Sequence, residues 1–170
     1  LNKNDKVLDI ACGKGSGTAI VSDVVNEVYG IDYEEKYIIQ AKKIFSKPNL
    51  KFIHASDEIL ETFEQTFDKV ISTHTMEHIS DDELFLKRIH LSLKSDGELI
   101  LEVPRLFTYP IGKPLWPHHK REYTRENLED LLEQNGFIII QSFGGNRRDY
   151  VEIENARDSF FYICKKTSEL

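Results

Sequence analysis

The residues best suited to chemistry in this 170-residue chain lie in one glycine-rich stretch near its start. An apolar run at residues 7–10 is short enough for a strand, and Gly13, Gly15 and Gly17 follow it at alternate positions. Glycines at such a turn let the backbone approach a ligand closely and adopt positive φ angles. The apolar residues that come next recur at helical spacing, so N–H groups at the helix start would point at that ligand. The stretch predicts a cradle for a small molecule.

The spacing of the glycines excludes two common nucleotide-binding motifs. A dinucleotide fingerprint needs a third glycine where this chain has Thr18 or Ile20, depending on which glycine begins the count. A phosphate loop needs G-x-x-x-x-G-K-[ST], and the chain contains no such run. The turn is of the D-x-G-x-G-x-G type instead, with Asp9 at the acidic position and Ala11 in place of the first glycine.

This turn resembles the first motif of class I S-adenosylmethionine-dependent methyltransferases, in which it holds the amino-acid end of the cofactor. The resemblance implies a cofactor site that includes Asp9, Ala11, Gly13 and Gly15. The alanine departs from the family pattern, and we expect its methyl group to be a mild change. Gly13 and Gly15 are expected to keep the close approach to the ligand.

An acidic residue ends the second predicted strand, at residues 27–32. Asp32 lies 19 residues after Gly13, near the ~20-residue offset at which such a carboxylate meets ribose hydroxyls. A carboxylate can accept both hydrogen bonds of a vicinal diol. Asp32 is therefore predicted to bind ribose and the adjacent Tyr33 to belong to the same site; the alternative is that Asp32 caps the next helix.

Two further strand ends contribute to the predicted cofactor site. After the third strand (residues 50–54), Ser56 and Asp57 follow at the position where the family reads adenine, although either could instead cap the next turn. The fourth strand (residues 67–73) ends in Thr73, which the resemblance places beside the cofactor's methionine.

The segment after the fourth strand also contains the motif H-x-x-E-H, the inverted zincin signature, formed by His74, Glu77 and His78. On a helix the two histidines would share one face, so a zinc hydrolase is an alternative function. Against it, the motif follows a strand directly, and residues 80–82 look like the true helix start. We therefore predict no metal site. The resemblance leaves His78 either as a catalytic group or as a buried structural histidine.

A proline- and aromatic-rich loop at residues 105–123 is predicted to cover the substrate, with Trp116 contacting it. The loop ends in His119-Lys120-Arg121-Glu122-Tyr123-Thr124, which resembles the H-x-R-E-[YF]-T run of one methyltransferase subgroup. His119 is the first candidate for the base that deprotonates the acceptor, since histidine titrates near neutrality. Arg121 and Tyr123 are candidate substrate contacts, although Arg121 could instead pair with Glu122.

Strands alternating with helices predict an α/β fold, a Rossmann-like, mostly parallel sheet of seven strands with helices on both faces. The resemblance adds an antiparallel last strand, with strands six and seven at residues 137–143 and 159–165. The length fits a single domain. Because the family carries a helical segment before its first strand, we expect a chain that lacks a lid helix or is part of something longer.

Composition limits the partners. A net charge of −7 argues against general nucleic-acid binding, leaving only a local patch at Arg147–Arg148. Two cysteines make neither a disulfide framework nor a zinc site, and no apolar run is long enough for a membrane span. We expect a cytoplasmic enzyme that uses S-adenosylmethionine to methylate a small-molecule or sugar hydroxyl. A non-catalytic module that only binds the cofactor is a further alternative.

Overall fold

The computed structural model describes residues 1–105, 117–147 and 149–168. In this part of the chain one sheet contains eight strands in the order β3-β2-β1-β4-β5-β8-β6-β7. The strands are β1 Lys6–Ile10, β2 Glu27–Asp32, β3 Leu50–His54, β4 Phe67–Thr73, β5 Leu93–Pro104, β6 Phe137–Asn146, β7 Asp149–Val151 and β8 Ser159–Lys166. The helices are α1 Ser16–Val21, α2 Glu35–Ile44, α3 Asp82–Ser92 and α4 Arg125–Gln134.

The strand directions are those predicted, and the strand count differs by one. Strands β1 to β5 pair in parallel, and β8 runs antiparallel between β5 and β6. The additional strand is β7, which pairs with the extension of β6 at Gly144–Asn146. The predicted sixth strand stopped at Phe143 because Gly144 and Gly145 read as a linker. A Cβ at either position would collide with Ala156 or Ser159, so these glycines permit close packing inside the sheet.

Alternating side chains of β1 pack on opposite faces of the sheet, as the strand period requires. Leu8 and Ile10 belong to the main core with residues of α3 and α4, whereas Val7 packs with Val25 and Val28 on the other face. A third cluster, from α2 and β3, contains Ile38, Ala41 and Phe52. The expectation of helices on both faces is therefore confirmed.

The helix boundaries follow local capping. Asp81 accepts a hydrogen bond from the Leu84 amide at 2.9 Å and begins α3, as the sequence predicted, and the Thr124 hydroxyl caps α4. Helix α1, the helix predicted after the glycine turn, is six residues long. It ends at Val21, where Lys47 Nζ donates to the Ala19 carbonyl at 3.0 Å. No helix within the described ranges is long and apolar enough to cross a membrane.

Candidate functional site

A cleft with an empty volume of about 360 Å³ opens at the carboxyl ends of β1, β2 and β3, and we call it the strand-end cleft. Ligands of open α/β sheets bind at this edge. Five of its lining residues were predicted from the sequence: Ala11, Asp32, Tyr33, Ser56 and Asp57. The others are Ile10, Ile31, Ala55, Thr75, Ile79 and Phe85, which the sequence analysis did not single out. Their only sequence signal is that they adjoin the ends of buried strands or begin the next helix.

The turn after β1 adopts left-handed backbone angles at Ala11 (φ 56°), Gly13 (φ 55°) and Gly15 (φ 80°). A Cβ at Gly13 would meet no atom within 4 Å, so this side of the turn is open to a ligand. A Cβ at Gly15 would lie 2.5 Å from the Phe52 ring and 2.9 Å from the Ala41 side chain. Gly15 is therefore needed for packing against α2 and β3, and its close approach to the ligand stays a prediction.

Asp32 connects the glycine turn to the end of β2. Its Oδ2 accepts the Gly13 N–H and its Oδ1 accepts the Glu34 N–H, both at 2.8 Å. Each carboxylate oxygen retains a second lone pair, so the group can still accept from a ligand in the cleft. Helix α2 begins at Glu35 with Glu34 as its N-cap, so the alternative that Asp32 caps this helix is wrong.

Asp9 lies beside the cleft and does not line it. Its buried carboxylate accepts the Thr18 hydroxyl at 2.6 Å, and this bond ties the end of β1 to α1. Burial, with a smaller contribution from the charge of Asp32, raises the pKa of Asp9 from 3.8 to about 6, although the bond from Thr18 opposes this. Asp9 is absent from the residues that line the cleft.

The far end of the cleft is formed by the turn after β3. The Asp57 carboxylate pairs with the Arg88 guanidinium of α3 at 2.8 Å, which fixes its orientation. The side chain of Ser56, which precedes the 3₁₀ turn Asp57–Thr62, makes no capping hydrogen bond there. Thr73 does not line the cleft. Its carbonyl accepts the hydroxyl of Thr75, and Thr75 lines the cleft instead.

The H-x-x-E-H segment does not form the helix that a zincin site needs. His74 has a φ of 49°, and only Met76–His78 form a single 3₁₀ turn. The Glu77 side chain is buried, with 1% of its surface exposed, and its nearest histidine atoms are His74 Nδ1 at 3.7 Å and His78 Nε2 at 3.8 Å. The carboxylate of Glu77 raises the pKa of His74 above its ordinary value.

His119 lies beside this turn, 41 residues further along the chain than His78. The two imidazole rings are nearly perpendicular, with centroids 5.0 Å apart. His119 Nδ1 is 3.0 Å from Oε1 of the buried Glu122, and we call Glu77, His78, His119 and Glu122 the histidine cluster. The alternative that His78 is buried is wrong, since 44% of its side chain is exposed against 11% for His119.

Arg121 and Tyr123 lie at the N-terminus of α3. Arg121 pairs with Asp82 at 2.5 Å rather than with Glu122, and Tyr123 Oη donates to Asp82 at 3.0 Å. Burial raises the pKa of Tyr123 above its ordinary value. Both residues line a second cleft with Thr124, Asn127 and Leu131. Trp116, predicted to contact substrate, and Arg148 lie outside the described residues.

Comparison with known proteins identifies the family. The family described as "Methyltransferase domain" matches residues 1–167. A probable S-adenosylmethionine-dependent methyltransferase of Mycolicibacterium smegmatis is 28% identical over 140 residues, which cover 81% of this chain and 54% of that protein. The human mitochondrial ubiquinone biosynthesis O-methyltransferase is 29% identical over 153 residues, covering 79% and 42%. The chain thus spans about half the length of these curated relatives.

A solved structure with the same fold is that of the Burkholderia thailandensis 1,6-didemethyltoxoflavin-N1-methyltransferase, which contains 1,6-didemethyltoxoflavin and S-adenosylhomocysteine. The TM-score is 0.78 at 22% identity, and the alignment covers 98% of this chain and 72% of that one. At this identity the likeness establishes the fold.

Proposed function

The chain belongs to the methyltransferase-domain family, and on that premise we propose that it transfers a methyl group from S-adenosylmethionine to a hydroxyl of a small organic acceptor. The observation that carries the proposal is the Asp32 carboxylate, held in the wall of the strand-end cleft by the glycine turn that the family uses. The histidine cluster, which could receive the acceptor's proton, adjoins the cleft through Thr75 and Ile79, on either side of Glu77 and His78.

The residues that line the strand-end cleft support binding of the nucleoside part of this cofactor. Asp32, bonded to two backbone amides, can accept from the ribose hydroxyls. Ser56 and Asp57 can accept from the adenine amino group, and Ile31, Ile79 and Phe85 offer apolar surface to its ring. The open side of Gly13 leaves room for the amino-acid end of the cofactor.

For this reaction the protein has to position the cofactor and the acceptor and to remove the acceptor's proton. The bound cofactor supplies an electrophilic methyl group on a sulfonium. The cleft holds the donor in place so that the acceptor oxygen can approach in line, which contributes through proximity and orientation. Glu122 accepts from His119 Nδ1–H and thereby leaves Nε2 as the atom that can take the acceptor's proton.

A hydroxyl acceptor is supported by two observations. The human relative is an O-methyltransferase by name. The run from His119 to Thr124, which resembles a subgroup of sugar methyltransferases, contributes His119 and Glu122 to the histidine cluster. We therefore propose a phenolic or saccharide hydroxyl as the acceptor.

The test is a mass-spectrometric screen of the purified chain with S-adenosylmethionine and a panel of catechols, quinols and sugars. We expect a mass gain of one methylene unit in an oxygen acceptor, with S-adenosylhomocysteine formed in equal amount. His119→Ala should lower turnover by ~10²–10⁴ and leave cofactor affinity unchanged. His118→Ala is the matched control, since this exposed side chain lies outside the cluster. Cofactor binding without turnover on the whole panel would favour a non-catalytic binding module.

A further inference from the structure

The carboxylate of Glu77 is buried without a hydrogen bond. Among the described residues, neither Oε1 nor Oε2 has a hydrogen-bond partner, and the side chain is 1% exposed. The nearest histidine nitrogens, at 3.7 and 3.8 Å, lie beyond hydrogen-bond distance. A buried carboxylate is unfavourable unless it is paired or coordinates a metal ion. Among the described residues, the Glu77 side chain therefore has two imidazoles within 4 Å and no hydrogen bond.

Both imidazoles of the cluster have a hydrogen-bond acceptor at Nδ1. His78 Nδ1 lies 3.1 Å from the His118 carbonyl, and His119 Nδ1 lies 3.0 Å from the Glu122 carboxylate. Carbonyl and carboxylate oxygens only accept hydrogen bonds, so each Nδ1 carries the proton in the neutral ring. Each Nε2 then presents a lone pair, which is the form in which histidine binds metals.

The ligand atoms are close enough to share one ion. One ligand atom each from Glu77, His78 and His119 lies within 4.8 Å of the others. Two ligands at about 2.1 Å from a tetrahedral ion are about 3.4 Å apart. Side-chain rotations that bring the atoms together by roughly an ångström would complete the coordination. His78 has room to rotate toward Glu77 because its side chain is partly exposed and it ends a short 3₁₀ turn.

We propose that Glu77, His78 and His119 bind one divalent transition-metal ion, with Zn²⁺ as the best chemical fit. Two imidazoles and one carboxylate form the protein ligand set of several catalytic zinc sites, and imidazole disfavours Mg²⁺ and Ca²⁺. Glu122 does not bind the ion in this proposal. It accepts a hydrogen bond from His119 Nδ1, as carboxylates that orient metal-bound histidines do. His74 is excluded from the ligand set because its ring nitrogens do not fall in this group.

The ion would also give the cluster a second role. Three protein ligands leave at least one coordination position open, and such a site binds and polarises an oxygen ligand. With the ion present, His119 would be a ligand and could no longer take the acceptor's proton; the metal would instead lower the pKa of a bound acceptor hydroxyl, whose proton would pass to water. This consequence rests on the proposed methyl transfer, whereas metal binding itself does not.

The binding test uses the whole chain, stripped with a chelator and then exchanged into chelator-free buffer. Calorimetric titration with Zn²⁺ should show one ion per chain, and Co²⁺ should give the visible absorption of a nitrogen- and oxygen-ligated site. His119→Ala and the near-isosteric Glu77→Gln should each weaken Zn²⁺ binding by more than about 100-fold, beyond the 10–100-fold typical of second-shell changes. His118→Ala and His74→Ala should bind Zn²⁺ as the parent does, and melting temperatures confirm that each variant is folded.

Absence of stoichiometric Zn²⁺ and Co²⁺ binding by the folded parent would overturn the proposal. Weaker Zn²⁺ binding in His74→Ala together with the parent's affinity in His119→Ala would also overturn it, because the site would then be the sequence motif and not this cluster. Activity separates the two proposals. A chain that methylates its acceptor but binds no stoichiometric Zn²⁺ overturns the metal site and leaves methyl transfer standing. A chain that binds stoichiometric Zn²⁺ but transfers no methyl group supports the metal site and argues against the proposed methyl transfer.

Discussion

Asp32→Asn probes the connection between the glycine turn and the cofactor. In the parent each carboxylate oxygen accepts one backbone N–H at 2.8 Å, from Gly13 and from Glu34. Asparagine has one oxygen, so its NH₂ group must face one of these N–H donors. The lost charge-assisted bond should lower the free energy of unfolding by about 1.5–3 kcal/mol. In addition, two ribose hydroxyls would lose a charged acceptor, weakening cofactor binding by about 2–4 kcal/mol, or roughly 30- to 1,000-fold.

Calorimetry with S-adenosylhomocysteine, run well below the melting temperature of each variant, measures the affinity apart from the stability. Asp9→Asn is the matched control because it makes the same change near the end of the neighbouring strand, at a buried carboxylate outside the cleft lining. We expect that variant to bind within a few-fold of the parent. An Asp32→Asn chain that is folded and binds with the parent's affinity would refute the ribose assignment.

The remaining predictions concern the turn itself. The folded-state pKa of Asp9, about 6, lies above its ordinary 3.8, so the stability it contributes is fully present below about pH 4 and is lost as the pH rises through 6. Melting temperatures of Asp9→Asn should therefore fall less than the parent's between pH 4 and 7, and an unchanged pH profile would contradict this. Gly15→Val should destabilise the fold by about 2–5 kcal/mol, because valine meets Phe52 and a φ of 80°. Gly13→Ala, with open space around its Cβ, should lose only about 1–2 kcal/mol in chemical denaturation, and equal losses would refute the packing role.

The strand-helix alternation was predictable because the strands contain short apolar runs, and β2, β3 and β4 end in the polar residues Asp32, His54 and Thr73. The positions of Asp32, Ser56 and Asp57 followed from that alternation, since parallel strands bring their carboxyl ends to one edge. The local pattern could not reveal which groups each carboxylate would pair with. The Asp57–Arg88 pair joins residues 31 positions apart, and only the packing of α3 beside the turn after β3 brings them together.

Ala11 shows where residue type alone misleads. We expected the replacement of the family's first glycine to be mild, yet its φ of 56° is in the left-handed region, where a Cβ costs about 1–2 kcal/mol. Nothing in an alanine indicates a positive φ. The surrounding bonds impose it, because the Cys12 N–H donates to the Ile31 carbonyl at 2.9 Å and Gly13 donates to Asp32. A strained residue held in place by its neighbours is typical of a functional site.

The histidine cluster was the hardest feature to predict, since the spacing of the motif pointed to the wrong partner. H-x-x-E-H favours a helix on which His74 and His78 share a face. The left-handed backbone at His74 is incompatible with such a helix. This conformation is stabilised by the hydrogen bond from the His74 N–H to the Glu102 carbonyl of β5 at 2.9 Å. The chain then returns after β5, and Lys120 N–H donates to the Glu77 carbonyl at 2.7 Å. That backbone bond places His119 against His78. The proposed ligand set therefore depends on contacts between the loop and the 3₁₀ turn, which no local spacing encodes.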